Sequence, residues 1–93
     1  MAPYVAMAAS SRELKEDIEE VKDTSKFAKY LKDIPLYTWK YKGDKTTHFG
    51  PIAEEFKDKF GIGDGKTLHL ADVMGVTLAA AKEMASQSKE SYA

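Results

Sequence analysis

Ser10-Ser11-Arg12-Glu13-Leu14-Lys15-Glu16-Asp17-Ile18 reads as the mouth and first turns of a helix. Ser10-x-x-Glu13 matches a capping box, in which hydroxyl and acid each satisfy a free backbone N–H. Leu14, Ile18 and Val21 follow at spacings of four and three and predict one apolar stripe. Glu16, Asp17, Glu19, Glu20 and Lys22 occupy the other faces. Before this helix, Met1–Ala9 is small, apolar and uncapped. It is expected as extended chain, an upstream leader or remnant set apart from a domain spanning residues 10–93.

Working outward, Thr24 is expected to cap a second helix with Phe27, Tyr30, Leu31 and Ile34 on its buried side. Pro35 stops it. Leu36–Lys42 reads as a strand, with Tyr37, Trp39 and Tyr41 on one face and Leu36, Thr38 and Lys40 on the other. Gly43-Asp44 signals a turn, and Thr46–Phe49 is the returning strand. Gly50 ends it, and Pro51 sits where a helix favours proline, at the first position. Glu54 and Glu55 suit the positive end of that helix, Ile52, Phe56 and Phe60 form its buried stripe, and Gly61 closes it. Thr67–Leu70 is expected as a short strand after a glycine-rich loop. Asp72 then starts a last helix to about Ser88, with Val73, Val76, Ala80 and Met84 along its seam. The fold class is α+β: a small domain of helices and short strands with a long C-terminal helix.

Ninety-three residues make one domain. A chain this short buries only about 60–65% of the surface its unfolded form exposes, so association with further copies is an economical remedy. Fourteen basic against fifteen acidic residues leave a net charge of −1, which steers the chain toward neither nucleic acid nor an anionic membrane. Cysteine is absent, which excludes disulfides and thiolate metal sites. No apolar run approaches the roughly 20 residues of a membrane span, and Met1–Ala9 lacks the basic start of a signal peptide.

Ser10 and Lys15 are the candidate chemistry. As bare residues they also fit a helix cap and a solvated lysine. Five helical steps cover about 7.5 Å, and helix side chains lean toward the N-terminus, so an amine can approach the cap hydroxyl. To act as a base it must be neutral, which requires a pKa well below about 10.4. Burial and the positive helix end both push that way. Free N–H groups there would stabilise an oxyanion on the Ala9 carbonyl. Gly65-Lys66-Thr67 imitates a phosphate-binding loop, but that pattern needs glycine where Phe60 stands. His48 and His69 are far apart with no cysteine partner, so neither zinc nor any other cofactor is expected. Tyr37, Trp39 and Tyr41 suit an aromatic core face better than a base-stacking platform.

Four stretches resemble the peptidase S74 family, the C-terminal intramolecular chaperone domains of phage tailspikes, tail fibres, neck appendages and endosialidases. Ser10–Ile18 is similar to the family's opening, Ser-Asp-x-Arg-x-Lys-x-x-Ile, with Ser11 where aspartate is common. Leu36–Lys42 is similar to its aromatic strand. His48-Phe49-Gly50-Pro51-Ile52-Ala53-Glu54-Glu55-Phe56 resembles His-x-Gly-Phe-Ile-Ala-Gln-Glu-Val. Leu68–Glu83 resembles the closing extended piece and long helix, so the resemblance runs from Ser10 to about Lys89.

The resemblance implies a self-cleaving serine endopeptidase of one turnover. Ser10 would be the nucleophile and Lys15 the base, with Ala9–Ser10 the scissile bond. His48, Gly50 and Glu55 would support the site or a trimer contact. It also implies a homotrimer that helps an upstream β-rich fibre or spike of the same polypeptide to trimerise in the host cytoplasm during virion assembly, with no nucleic-acid or membrane partner. One alternative is a trimerisation module of the same family that does not cut. The other is a winged-helix domain, in which helices precede a strand pair.

Overall fold

The computed structural model describes residues 10–87. In chain order these form a 3-10 turn at Arg12–Leu14, helix α1 at Ser25–Asp33, strand β1 at Tyr37–Trp39, strand β2 at His48–Gly50, helix α2 at Ala53–Phe60 and helix α3 at Leu70–Gln87. The α+β class and the long C-terminal helix expected from the sequence are both present. Residue 88, the expected end of that helix, and residues 1–9 lie outside the described residues. Among the described residues one α-helix precedes the hairpin, where a winged-helix domain would place a helix pair.

The first predicted helix does not form. Only the turn at Arg12–Leu14 appears, with Leu14 N–H donating to the Ser11 carbonyl at 3.0 Å and Lys15 N–H to that of Arg12 at 3.2 Å. Residues 18–24 adopt no regular structure. Asp17 turns the backbone to φ 53°, which a helix cannot contain. The cause is tertiary. Leu14, Ile18 and Val21 remain 71%, 46% and 59% exposed, so the stripe finds no surface to cover. A helix of this length is marginal in water without packing, and four acids within residues 16–20 repel one another.

α1 begins where expected, through a different cap. Thr24 makes no side-chain capping bond. The Asp23 carboxylate instead accepts from the Ser25 hydroxyl at 2.6 Å and the Ser25 N–H at 3.0 Å. Those bonds, the hydroxyl's first, hold its pKa below the usual 3.8. Ile34 leaves the helix at φ −75°, ψ 130°, the extended conformation that a following proline imposes.

The core is thin and lies where the three helices meet. Ile34, Phe56 and Val76 are buried together, one contributed by the end of α1, one by α2 and one by α3. Phe27, Leu31, Phe60, Leu68 and Val73 pack around them. Phe27 and Phe60 stack at 6.2 Å, and Tyr30 meets the Phe60 ring edge-on at 6.0 Å. Ala80 continues the buried seam of α3 one turn on, but Met84 is 61% exposed and falls outside it. Ile52, expected in the α2 stripe, is 40% exposed because α2 starts at Ala53. Pro51 therefore stands outside the helix and not at its first position.

β1 and β2 are antiparallel, with Tyr37 opposite Gly50, Thr38 opposite Phe49 and Trp39 opposite His48. Both strands are shorter than the sequence predicts, for a local reason. Asp44 N–H donates to the Tyr41 carbonyl at 3.0 Å across the Gly43 turn. Its carboxylate takes the Thr46 N–H at 2.9 Å. These bonds consume groups that a longer ladder would need.

The expected strand at 67–70 is also absent, since Leu70 already belongs to α3. The glycine loop is closed by Asp64, which accepts from Lys66 N–H at 2.8 Å, Thr67 N–H at 2.9 Å and the Thr67 hydroxyl at 3.1 and 3.2 Å. Its own acid thus takes the Lys66 and Thr67 amides that a phosphate loop would turn toward an anion. Gly61 caps α2 in the left-handed region at φ 72°, as the sequence predicts, with its N–H on the Lys57 carbonyl at 2.7 Å.

Two outcomes follow from this packing. Phe56→Ala opens the junction of all three helices and should cost about 3–5 kcal/mol, measured by urea unfolding; a thin core leaves little to absorb it. Bonds from Thr67 N–H, then Lys66 N–H, then the Thr67 hydroxyl depress Asp64 from 3.8 to about 2. A depressed carboxylate stabilises the fold above its unfolded pKa and loses that contribution as pH falls through the folded value. Asp64→Asn should therefore lower the urea midpoint at neutral pH, and the gap from wild type should close between pH 3.8 and about 2.

Candidate functional site

Ser10 opens the described chain, and the turn at Arg12–Leu14 folds the backbone back toward it. Lys15, extended at φ −117°, ψ 155° just after that turn, donates from Nζ to Ser10 Oγ at 2.7 Å. The two side chains thus meet by a different route from the helical reach expected of them. A tight turn, not five helical steps, returns the amine to the hydroxyl. Ser11 occupies the cap position, accepting from Glu13 N–H at 3.3 Å. This leaves the Ser10 hydroxyl to Lys15. Both Ser10 and Lys15 are exposed in the single chain. Ala9 and the Ala9–Ser10 bond lie outside the described residues.

His48, Gly50 and Glu55 gather elsewhere, around β1. His48 stacks on Trp39 with centroids 4.7 Å apart and meets Tyr41 edge-on at 5.3 Å. Gly50 stands opposite Tyr37 in the ladder, and a Cβ added to it would meet nothing within 4 Å. Glu55, in the first turn of α2, accepts the Tyr37 hydroxyl on both carboxylate oxygens at 3.1 Å each. That bond anchors β1 to α2 and is the main cause of an upward shift of the Tyr37 phenol from 10.0, ahead of burial and the Glu55 charge. Among the described residues no hydrogen bond or ring contact joins the Ser10–Lys15 pair to His48, Gly50 or Glu55.

The sequence reading missed Tyr37 as the partner of Glu55. It had grouped Tyr37 with Trp39 and Tyr41 as one core face, whereas Tyr41 is 62% exposed. The signal was available in the phenol itself: a half-buried tyrosine, unlike phenylalanine, needs a partner for its hydroxyl. It also missed that Trp39 Nε1 is buried with no acceptor. Among the described residues no cluster of three His, Cys, Asp or Glu side chains is placed to hold a metal. No described helix is long and apolar enough to cross a membrane.

The model of one known family, described as Peptidase S74, chaperone of endosialidase, matches residues 10–61. That is more than half the chain, beginning at Ser10 and ending at the cap of α2. The chain belongs to the peptidase S74 family. Membership makes it an intramolecular chaperone domain of the kind found in phage and endosialidase proteins. It implies a self-cleaving peptidase associated with an upstream fibre or spike region. The match stops short of α3, so the resemblance of Leu68–Glu83 to the family's closing piece stays outside it. No curated protein and no solved structure matches the chain.

The Tyr37–Glu55 bond makes a titration test of this S74 domain. A raised phenol stabilises the fold fully below the unfolded value of 10.0 and loses that contribution as pH rises through its folded pKa. Glu55→Gln should bring the Tyr37 transition down toward 10.0. The absorbance difference between each protein and its Tyr37→Phe counterpart during alkaline titration measures it.

Proposed function

We propose that this S74 domain drives homotrimerisation of an upstream phage fibre or spike and is then released by one self-cleavage between Ala9 and Ser10. Ser10 is the nucleophile and Lys15 the base. The observation that carries this reading is the 2.7 Å contact between Lys15 Nζ and Ser10 Oγ, at the residue where the family match begins. The nucleophile then lies beside the carbonyl it attacks, in its own chain, so the reaction gains the full advantage of an intramolecular step.

The amine must first lose its proton. It then accepts the Ser10 Oγ–H proton as Oγ adds to the Ala9 carbonyl carbon. Collapse breaks the Ala9–Ser10 C–N bond, and the Lys15 ammonium returns its proton to the leaving nitrogen. An ester on Ser10 remains, and water hydrolyses it to free the Ala9 carboxylate. In the second route Ser10 and Lys15 activate water directly and no ester forms. Hydroxylamine separates the two, since it accelerates release only where an ester exists.

Exposure of the pair explains why cutting would await assembly. Desolvation favours a neutral amine, and in the single chain nothing covers Lys15. A neighbouring protomer would bring that cover. His48, Gly50 and Glu55 act in support, Glu55 by fixing β1 on α2, and their separation from Ser10 in one chain suits a site completed across protomers.

Intact mass of the purified trimer tests the reading. Wild type should lose Met1–Ala9, Ser10→Ala should keep it, and Lys15→Ala should cut about 10²–10⁴-fold more slowly. A trimer in which all three stay whole would assign the domain to assembly alone.

A further inference from the structure

Two adjacent serines stand before one contested donor, the Glu13 N–H. Ser10-x-x-Glu13 is the spacing of a capping box, in which the first hydroxyl accepts that N–H. In the structure the bond goes to its neighbour, and Glu13 N–H donates to Ser11 Oγ at 3.3 Å. Ser10 Oγ instead accepts from Lys15 Nζ at 2.7 Å. A hydroxyl oxygen has two lone pairs. A bond from Glu13 would tie up one of them on Ser10 and aim Oγ into the turn, when a lone pair has to add to the Ala9 carbonyl carbon.

We infer that Ser11 is a positioning residue of this site: by taking the Glu13 N–H it keeps the Ser10 hydroxyl free for Lys15 and for attack. This rests on the reading of Ser10 as the nucleophile. Ser11 sits at φ −62°, ψ 143°, the extended conformation usual for a cap. The turn itself is held by backbone bonds, from Leu14 N–H to the Ser11 carbonyl at 3.0 Å and from Lys15 N–H to the Arg12 carbonyl at 3.2 Å. A change in the Ser11 side chain leaves those two bonds in place. The hydroxyl therefore has a separate task, which is to meet Glu13. In the exposed single chain water can share that task. Once a second surface covers the pair and excludes water, an unmet N–H becomes costly, and one of the two hydroxyls has to take it.

Time courses of intact mass after cell-free synthesis of the full chain read the effect on cutting. Ser11→Ala should cut about fivefold more slowly than wild type, the scale of one capping bond. Ser11→Thr restores a hydroxyl at an extended position that suits a β-branched residue, and should cut at the wild-type rate. The urea midpoint should be the same in all three, since Ser11 is exposed. Amide exchange at Glu13 reads the contest without any cutting. In the full chain carrying Ser10→Ala the Glu13 N–H should stay protected, and adding Ser11→Ala should speed its exchange about fivefold. Loss of protection on Ser10→Ala alone would put the cap on Ser10 and overturn the inference. So would Ser11→Ala cutting as fast as wild type, or Ser11→Thr cutting as slowly as Ser11→Ala. A wild-type trimer that never cuts defeats the cleavage reading. In that case protection of Glu13 by Ser11 alone still upholds the assignment of the cap, and its loss with Ser10→Ala still overturns it.

Discussion

Phe56 against Ile34 and Val76 is the contact on which the rest of this domain depends. There the end of α1 meets both α2 and α3. The stacked Phe27 and Phe60 rings extend it but do not replace it, since both remain half-buried. Everything else hangs from this junction by short polar links. The hairpin is tied to α2 through Tyr37 and Glu55. The loop between α2 and α3 is tied to itself by Asp64, and to α2 by Lys57, whose ammonium donates to the Gly63 carbonyl at 2.9 Å. A buried Gly65, at φ 79° and within 3.0 Å of the Lys57 side chain at its would-be Cβ, lets that loop lie close.

So small a junction leaves large apolar groups outside. Leu70, Met74 and Leu78 run along one side of α3 at 64–65% exposure, and Phe49 and Tyr41 stand out from the hairpin. In a lone domain such surface is a liability. Association with another surface would cover it. The same logic applies to the Ser10–Lys15 pair, which is preassembled but uncovered.

Much of this was legible in the sequence because it depended on local physics. Pro35 ending α1, the Gly43-Asp44 turn, Gly61 capping α2 and the apolar spacing of Phe27, Leu31 and Ile34 each follow from backbone sterics or periodicity within a few residues. That the Lys15 amine can meet the Ser10 hydroxyl was legible as well. What misled was the stripe of Leu14, Ile18 and Val21. Its spacing is helical, yet periodicity states only which residues would share a face and not whether any surface exists to bury it.

The sequence by itself determined the α+β class, the helices that the core needs and the residue types available for chemistry. Only the tertiary structure decided that residues 15–24 stay irregular, that a 3-10 turn and not a helix brings Lys15 to Ser10, and that Glu55 serves Tyr37. Each of these turns on which groups are left without partners once the core has closed. That is a property of the packed chain as a whole, because a backbone or side-chain group takes whichever neighbour the long-range contacts leave within reach.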